Sequence, residues 1–320
     1  MRVLIVGSSH SWQMERGTER ALKRAGHKTL LVDDRRASRV IGRKLTQKWA
    51  MSRARRFKPD FVILSKCLAL DLDTVATIID GKPSSMWYQE PQWYKSTYRP
   101  DVVHIVAVGK LARTFFVSGF DAEWRALGLP AKFLPAAADP DIKPVAPRKS
   151  FHSDVSFIGN GHDPSRAQFL LKIAKKYDIK VWGKGWEKWR KPLNWTGRAV
   201  EGKEFAAVCS SSSISLGVDH DRVKGGKGYT SDRAWMVILA GGFYLGHGTP
   251  GLTEMLRGGD HCDWYTDTDS CLAKIDYYLK SSAQRERIRR EGQVFVRSNH
   301  TFDQRIHNLL SGEAFVNPLA

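Results

Sequence analysis

Two stretches of one kind, at the start of the chain and at its middle, limit the folds open to it. Arg2-Val3-Leu4-Ile5-Val6 runs into Gly7-Ser8-Ser9-His10, and Val155-Ser156-Phe157-Ile158 runs into Gly159-Asn160-Gly161-His162. A short, almost wholly apolar run is a strand covered on both faces, and parallel sheets are made of such strands. After the first, a helix to about residue 25 stops at Gly26-His27, and residues 28–33 make a second strand. This β-loop-α-β opening predicts an α/β domain. It is no dinucleotide fingerprint, because the G-x-G-x-x-G spacing is absent. Gly7 and the Ser8-Ser9 amides fall beyond the carboxyl end of a strand, where open α/β sheets bind ligands.

The pattern continues with strands at residues 59–64, 85–88, 102–106 and 132–135, and helices at 71–79, 111–116 and 122–127. From Pro135 through Pro140 and Pro144 to Pro147 the chain is proline-rich and irregular, and then the second strand-glycine opening begins. A helix at 165–176, strands at 179–182, 213–217 and 262–265, and closing helices at 270–279, 283–298 and 301–310 complete the reading. At 320 residues the chain has length for one large domain or two medium ones, with ample room for a buried core.

The stretch richest in chemistry is Thr230-Ser231-Asp232-Arg233, followed by Ala240-Gly241-Gly242-Phe243 and by Gly248-Thr249-Pro250-Gly251-Leu252-Thr253-Glu254. It reads as a helix carrying one arginine, a glycine stop, a buried strand, and a turn that sets Glu254 on the start of the next helix. An arginine grips a diphosphate as a bidentate fork, helix amides share its charge, and a carboxylate accepts from ribose hydroxyls. The plainer alternative is an αβα unit whose Gly-Gly merely ends a helix.

In order and spacing these residues, together with residues 154–159, 181–186 and 213–217, resemble the C-terminal half of spore-maturation, family-4-like glycosyltransferases over about residues 130–310. The resemblance implies the GT-B fold, two Rossmann-like α/β domains facing across a cleft. The N-terminal domain, 1–145, would hold the acceptor and the C-terminal domain, 146–320, the nucleotide-sugar donor, with a last helix that can cross back. Gly159, Asn160 and Arg166 would face the donor diphosphate, Gly183, Gly185 and Trp186 would carry backbone groups toward the base, and Gly7 would approach the donor from the other domain. Arg233, Thr249, Pro250, Gly251 and Glu254 would complete the donor site. One departure stands out: the wider family places a glutamate near the start of its last donor-site helix, where this chain has Arg233. The donor implied is a UDP-sugar, with no metal and no further cofactor.

Composition bears on the acceptor. The formal charge is +18, which points to a polyanion: nucleic acid, acidic glycan or membrane surface. Arg35, Arg36, Arg39, Arg43, Lys44, Lys48, Arg53, Arg55, Arg56 and Lys58 follow one another with no acidic residue among them. A solvated helix face ordinarily mixes signs, whereas a single-sign block is suited to a partner that neutralises it. With the acceptor domain carrying this block, DNA is the acceptor expected, through a hydroxymethylated pyrimidine, as in bacteriophage DNA glycosyltransferases of the same fold. A base in a duplex must be flipped out to react. An envelope or spore glycan or protein, a tRNA, and a non-catalytic DNA-binding protein on a transferase fold are the alternatives.

For the base that takes the acceptor proton, Glu90 in Gln89-Glu90-Pro91 is the first candidate, with His10 and Asp34 as alternatives. Each has a structural reading too, Glu90 bonding loop amides and His10 capping a helix. Tyr88, Trp93 and Tyr94 are either stacking residues or core, and the Trp182, Trp186, Trp189 and Trp195 series among lysines is either a nucleic-acid surface or packing. The stretch 219–229, rich in glycine and lysine, is expected to be a closing loop. Asp71-Leu72-Asp73 has a metal-binding form but opens a helix. Four cysteines without CxxC spacing are read as reduced structural thiols. No apolar run can span a bilayer and the N-terminus is no signal peptide, so the cytoplasm is expected, the host's if a phage encodes the chain.

Overall fold

The computed structural model describes residues 1–11, 13–90, 100–219 and 228–320. Trp93, Tyr94 and most of the 219–229 loop therefore lie outside the described residues. Two compact units emerge: Met1–Asp139 with Phe302–Val316, and Pro140–Thr301 with Asn317–Ala320. The division in the proline-rich crossover falls at Asp139–Pro140.

The first unit contains β1 (Arg2–Val6), α1 (Met14–Arg24), β2 (Lys28–Val32), α2 (Asp34–Ile41), α3 (Arg43–Phe57), β3 (Phe61–Leu64), α4 (Leu72–Ile79), β4 (Ser84–Tyr88), α5 (Pro100–Leu111), β5 (Thr114–Val117), α6 (Asp121–Ala126) and β6 (Ala131–Phe133). Its strands pair in parallel in the order β2-β1-β3-β4-β5-β6. The middle strands β3, β4 and β5 are buried at every position, as a sheet covered on both faces requires. Leading from β1 to β2 and then back across to β3 makes β1/β3 the switch point, so the loops after these strands border the natural crevice of this sheet.

Two expectations fail here. Residues 102–106 belong to helix α5, not a strand, and residues 114–116 of the helix expected at 111–116 fall in strand β5. Pro100 and Asp101 favour a helix start. Val102, Ile105 and Val108 are buried while Val103 is exposed, a helical period written in β-branched residues. Thr114-Phe115-Phe116-Val117 is buried throughout and pairs with β4 and β6.

The second unit contains β7 (Ser153–Ile158), α7 (Pro164–Ala174), β8 (Ile179–Trp182), α8 (Gly202–Ser211), β9 (Ser212–Gly217), α9 (Asp232–Leu239), β10 (Tyr244–His247), α10 (Pro250–Thr253), β11 (Asp263–Tyr265), α11 (Thr268–Lys280) and α12 (Ser282–Asn299). The sheet is parallel in the order β11-β10-β9-β7-β8, with its switch point at β7/β9. The last helix, α13 (Phe302–Ser311), returns to the first unit and packs on α1. Phe302 sits over Gly17, where a Cβ would fall 2.2 Å from its ring, and Arg24 pairs with Asp303 at 2.6 Å.

The tryptophan series is packing within the second unit, not a nucleic-acid surface. Trp186 is fully buried edge-on to Phe157, Trp182 edge-on to Phe151, and Trp195 Nε1 donates to the Gly183 carbonyl at 2.8 Å. Tyr88 is likewise core, edge-on to Trp124. Asp71 caps α4 by accepting from the Thr74 amide. All four cysteines are buried free thiols. Among the described residues, no helix is long and apolar enough to cross a membrane.

Candidate functional site

In the second unit the chemistry gathers at the carboxyl ends of β7 and β9. Arg166 opens α7, whose N-cap Asp163 accepts from the Ser165 amide at 3.0 Å. Its Nε donates to the Val218 carbonyl at 2.9 Å and its Nη1 to the Asn160 carbonyl at 3.2 Å. Arg233, in the first turn of α9, donates from Nε to the Ile158 carbonyl at 2.9 Å and from Nη1 to Val218 at 3.4 Å. Both guanidiniums also lie over the ring of Phe157, at 5.8 Å and 5.1 Å.

Two like charges are thus held together mainly by neutral carbonyls at the switch point. Burial, and then the charge of Arg233, push Arg166 down to about 10, with Asp219 partly opposing them. Buried Asp219, and to a lesser extent Asp163, contribute nearby negative charge. A cation pair fixed this way costs electrostatic energy that a bound dianion would offset. Asp219, Phe157 and the Val218 carbonyl were not singled out as site residues in the sequence; Asp219 has no signal there beyond standing at a strand end.

The glycines expected to touch the donor have a different first duty. A Cβ on Gly183, at φ +130°, would lie 2.1 Å from the Gly159 carbonyl, and one on Gly161 would lie 2.5 Å from that of Gly185. Gly159 N donates to the Trp182 carbonyl and the Trp186 indole returns a hydrogen bond to Gly159, so the loops after β7 and β8 interlock. Asn160 remains exposed, but Trp186 is too buried to meet a ligand.

The turn at Thr249 also departs from expectation. Thr249 caps and Pro250 begins a single turn, α10, so Glu254 stands at its C-cap and not at a helix start. The Leu252 and Thr253 amides both turn back on the Thr249 carbonyl at 3.0 Å, which removes them from anion binding. Gly251 permits close passage of Gly228, whose carbonyl carbon would lie 2.4 Å from a Cβ there. The Glu254 side chain is exposed and its backbone carbonyl accepts from Asn317 at 2.9 Å. Thr249 Oγ1 is buried without a partner among the described residues.

In the first unit the candidate bases differ sharply. Gly7 packs so closely that a Cβ would lie 2.7 Å from Glu15 Oε1, which accepts from the Ser8 amide at 3.2 Å. Ser9 donates from both N and Oγ to Asp33 at 2.7 Å, and His10 is exposed beside them. Asp34 is 1% exposed and accepts from the Ala69 amide at 2.8 Å. Burial raises its carboxyl, helped by Asp33 and opposed by the Ala69 bond. It anchors the loop after β3, and its burial keeps it from touching an acceptor hydroxyl. Glu90, exposed at the end of β4, pairs with Lys66 at the end of β3. Among the described residues, His10, Lys66 and Glu90 are therefore reachable polar groups on this edge, whereas Glu15 is buried beneath the Gly7 loop.

The ten cations from Arg35 to Lys58 lie on α2, on α3 and just beyond, and the side chain of every one is exposed. Thr46, Ala50 and Ala54 form the buried face of α3, which turns the remainder of that helix outward. Among the described residues, no group of three or more His, Cys, Asp or Glu side chains could hold a metal ion.

Residues 166–311 match the family described as "Glycosyl transferase-like". No match is found among curated proteins. Among solved structures, Anabaena HepE in complex with UDP and glucose is similar with a TM-score of 0.67 at 11% identity, over 98% of this chain and 100% of that one. Sucrose-phosphate synthase from Thermosynechococcus elongatus gives 0.70 at 10% identity, over 98% of each chain. AviGT4, a glycosyltransferase of avilamycin A biosynthesis, gives 0.57 at 14% identity, over 98% and 99%. At these identities the likeness concerns the fold, and with two parallel sheets in order the fold is GT-B.

Proposed function

We propose that this protein moves a sugar, a hexose or pentose, from a UDP-sugar to a hydroxyl on a polyanionic acceptor. The observation that carries this is the pair Arg166 and Arg233, two guanidiniums fixed by the same Val218 carbonyl at the β7/β9 switch point. A nucleotide diphosphate leaving group gains negative charge as the glycosidic bond breaks, and preorganised cations stabilise that charge without reorganising. The family model over residues 166–311 and the UDP-bound neighbour support the same reading. The pair supplies the charge that a divalent ion would otherwise bring, so transfer is proposed to be metal-independent.

The acceptor proposed is DNA bearing a hydroxymethylated pyrimidine, supported by the exposed all-basic α2–α3 block. Glu90, reachable at the end of β4 and paired with Lys66, is proposed as the group that takes the hydroxyl proton.

The test incubates the protein with a panel of nucleotide sugars and with duplex DNA containing 5-hydroxymethylcytosine or 5-hydroxymethyluracil. Unmodified DNA is the control, and digested nucleosides are read by mass spectrometry. A hexose or pentose mass on the hydroxymethylated base alone is expected, in the presence of EDTA. Arg233→Ala should lower kcat/KM by at least roughly 100-fold, the scale of one lost transition-state donor. Donor hydrolysis with no DNA product refutes the acceptor but keeps the donor; no turnover of any nucleotide sugar refutes both.

A further inference from the structure

The turn joining α2 to α3 carries a feature that charge alone does not explain. Val40 is 76% exposed, Leu45 58% and Ile41 38%. These are three of the ten large apolar side chains exposed among the described residues, and they fall within six positions. Leu72, another of the ten, follows Asp71, whose amide donates to Gln47 of α3 at 3.0 Å. Gly42, at φ 76° and ψ 158°, makes the reversal in one residue, a conformation essentially confined to glycine. Arg36, Arg39, Arg43, Lys44 and Lys48 surround the tip, all exposed.

The tip stands on the ligand-binding side of its own sheet. Asp33, the N-cap of α2, holds Ser9 in the loop after β1. Gln47, one turn into α3, donates to the Ala69 carbonyl at 2.8 Å in the loop after β3. Lys58 then feeds the amino end of β3, so α3 runs away from the carboxyl edge. The apolar turn therefore shares an edge with His10, Lys66 and Glu90.

We infer that Val40, Ile41 and Leu45 form an apolar wedge that enters the base stack of the acceptor duplex, while Arg39, Arg43 and Lys44 hold the phosphates beside the opened step. The inference rests on the DNA acceptor proposed above and gives that site the means of exposing its base. Apolar wedges such as Leu or Ile inserted between base steps, with arginines beside them, unstack and kink duplexes, and an enzyme acting on a paired base must extrude it.

An anionic bilayer is the competing occupant, and the pattern of charge argues against it. Lying flat, α3 would need an apolar stripe along its length, yet Leu45 is its one exposed large apolar side chain among the described residues. Inserting tip-first would leave Arg53, Arg55 and Arg56 roughly 15–20 Å from the surface at 1.5 Å per residue. That exceeds a Debye length of about 8 Å. A duplex presents phosphates over that whole distance.

The experiment uses the full chain and a duplex with 2-aminopurine beside 5-hydroxymethylcytosine, and compares wild type with the triple variant Val40→Ser, Ile41→Ser, Leu45→Ser. A second variant, Val40→Leu with Leu45→Met, keeps the tip apolar. Wild type and the apolar variant should brighten 2-aminopurine severalfold, and the serine variant by less than a third as much. The ratio of duplex to single-strand kcat/KM should fall at least tenfold in the serine variant alone. A ratio within twofold of wild type, with equal fluorescence, overturns the wedge while leaving the acceptor intact. Tip-dependent binding to phosphatidylglycerol vesicles with an unaltered ratio also overturns it, in favour of a bilayer. Brightening that needs the apolar tip, with no sugar transferred to any DNA, supports the wedge and refutes the acceptor.

Discussion

Arginines in this chain divide by what surrounds them. Arg166 and Arg233 are tied to carbonyls at a strand switch point, which fixes their forks before any ligand arrives; those of α2 and α3 are exposed to water. The first kind suits charge developing in a transition state, the second suits extended phosphate contact. The same contrast separates two carboxylates proposed for one task. Glu90 is exposed beside Lys66, while Asp34 is buried and bonded to the Ala69 amide. Asp34→Asn keeps an acceptor for that amide and removes a charge that burial disfavours. Asp34→Ala leaves the amide unpaired, at a cost of about 1–3 kcal/mol. Because the folded carboxyl is raised, its ionised form opposes folding at neutral pH. This penalty is absent below the ordinary carboxylate pKa and grows as pH rises toward the folded value, so Asn should gain on Asp across that window. Urea denaturation at pH 4 and pH 7 measures this. Loss of transfer in a stable Asp34→Asn protein, with Glu90→Gln active, would reverse the assignment of roles.

Elements were legible in the sequence to the extent that one signal dominated. Strand-glycine openings at Gly7 and Gly159 gave both sheets, since a short apolar run ending in glycine has few other uses. Residues 100–117 misled because Val and Ile carry strand preference even where their burial follows a helical period. The site was half legible: Arg166 and Arg233 stand together at the switch point, but Trp186 and the Gly159–Gly183 contact serve the loops themselves. Glu254 was misplaced because Thr249-Pro250 starts a turn four residues earlier than the glycine pattern suggests. The resemblance implied a last helix that can cross back, but its seat on α1 had no signal of its own, as Gly17 in a helix reads as a weakness until Phe302 is seen above it. Gly17→Ala should force that ring aside and destabilise the first unit by about 1–3 kcal/mol. Thermal unfolding would show it as a lower Tm, whereas an unchanged Tm would mean that α13 shifts without cost.

At the scale of the whole molecule, ten of the eighteen excess positive charges fall between Arg35 and Lys58. Concentrated charge of one sign repels itself and weakens the compact state, so its persistence on two exposed helices calls for a neutralising partner. If that partner is a nucleic acid, each engaged cation releases counterions, and log K falls against log salt with a slope of about −0.9 per phosphate contact. Replacing Arg39, Arg43 and Lys44 together by Gln should therefore flatten the slope for duplex binding by about 2.7, measured by fluorescence anisotropy from 50 to 300 mM salt. In the reading proposed above, the donor would engage Arg166 and Arg233, which are anchored in the other unit to Val218. Few charges meet there, so calorimetry with UDP should show a much shallower salt dependence that the triple substitution leaves in place. A duplex slope unaltered by the three substitutions would remove the α2–α3 turn from the phosphate contacts and leave the polyanion to be sought on cations elsewhere in the chain.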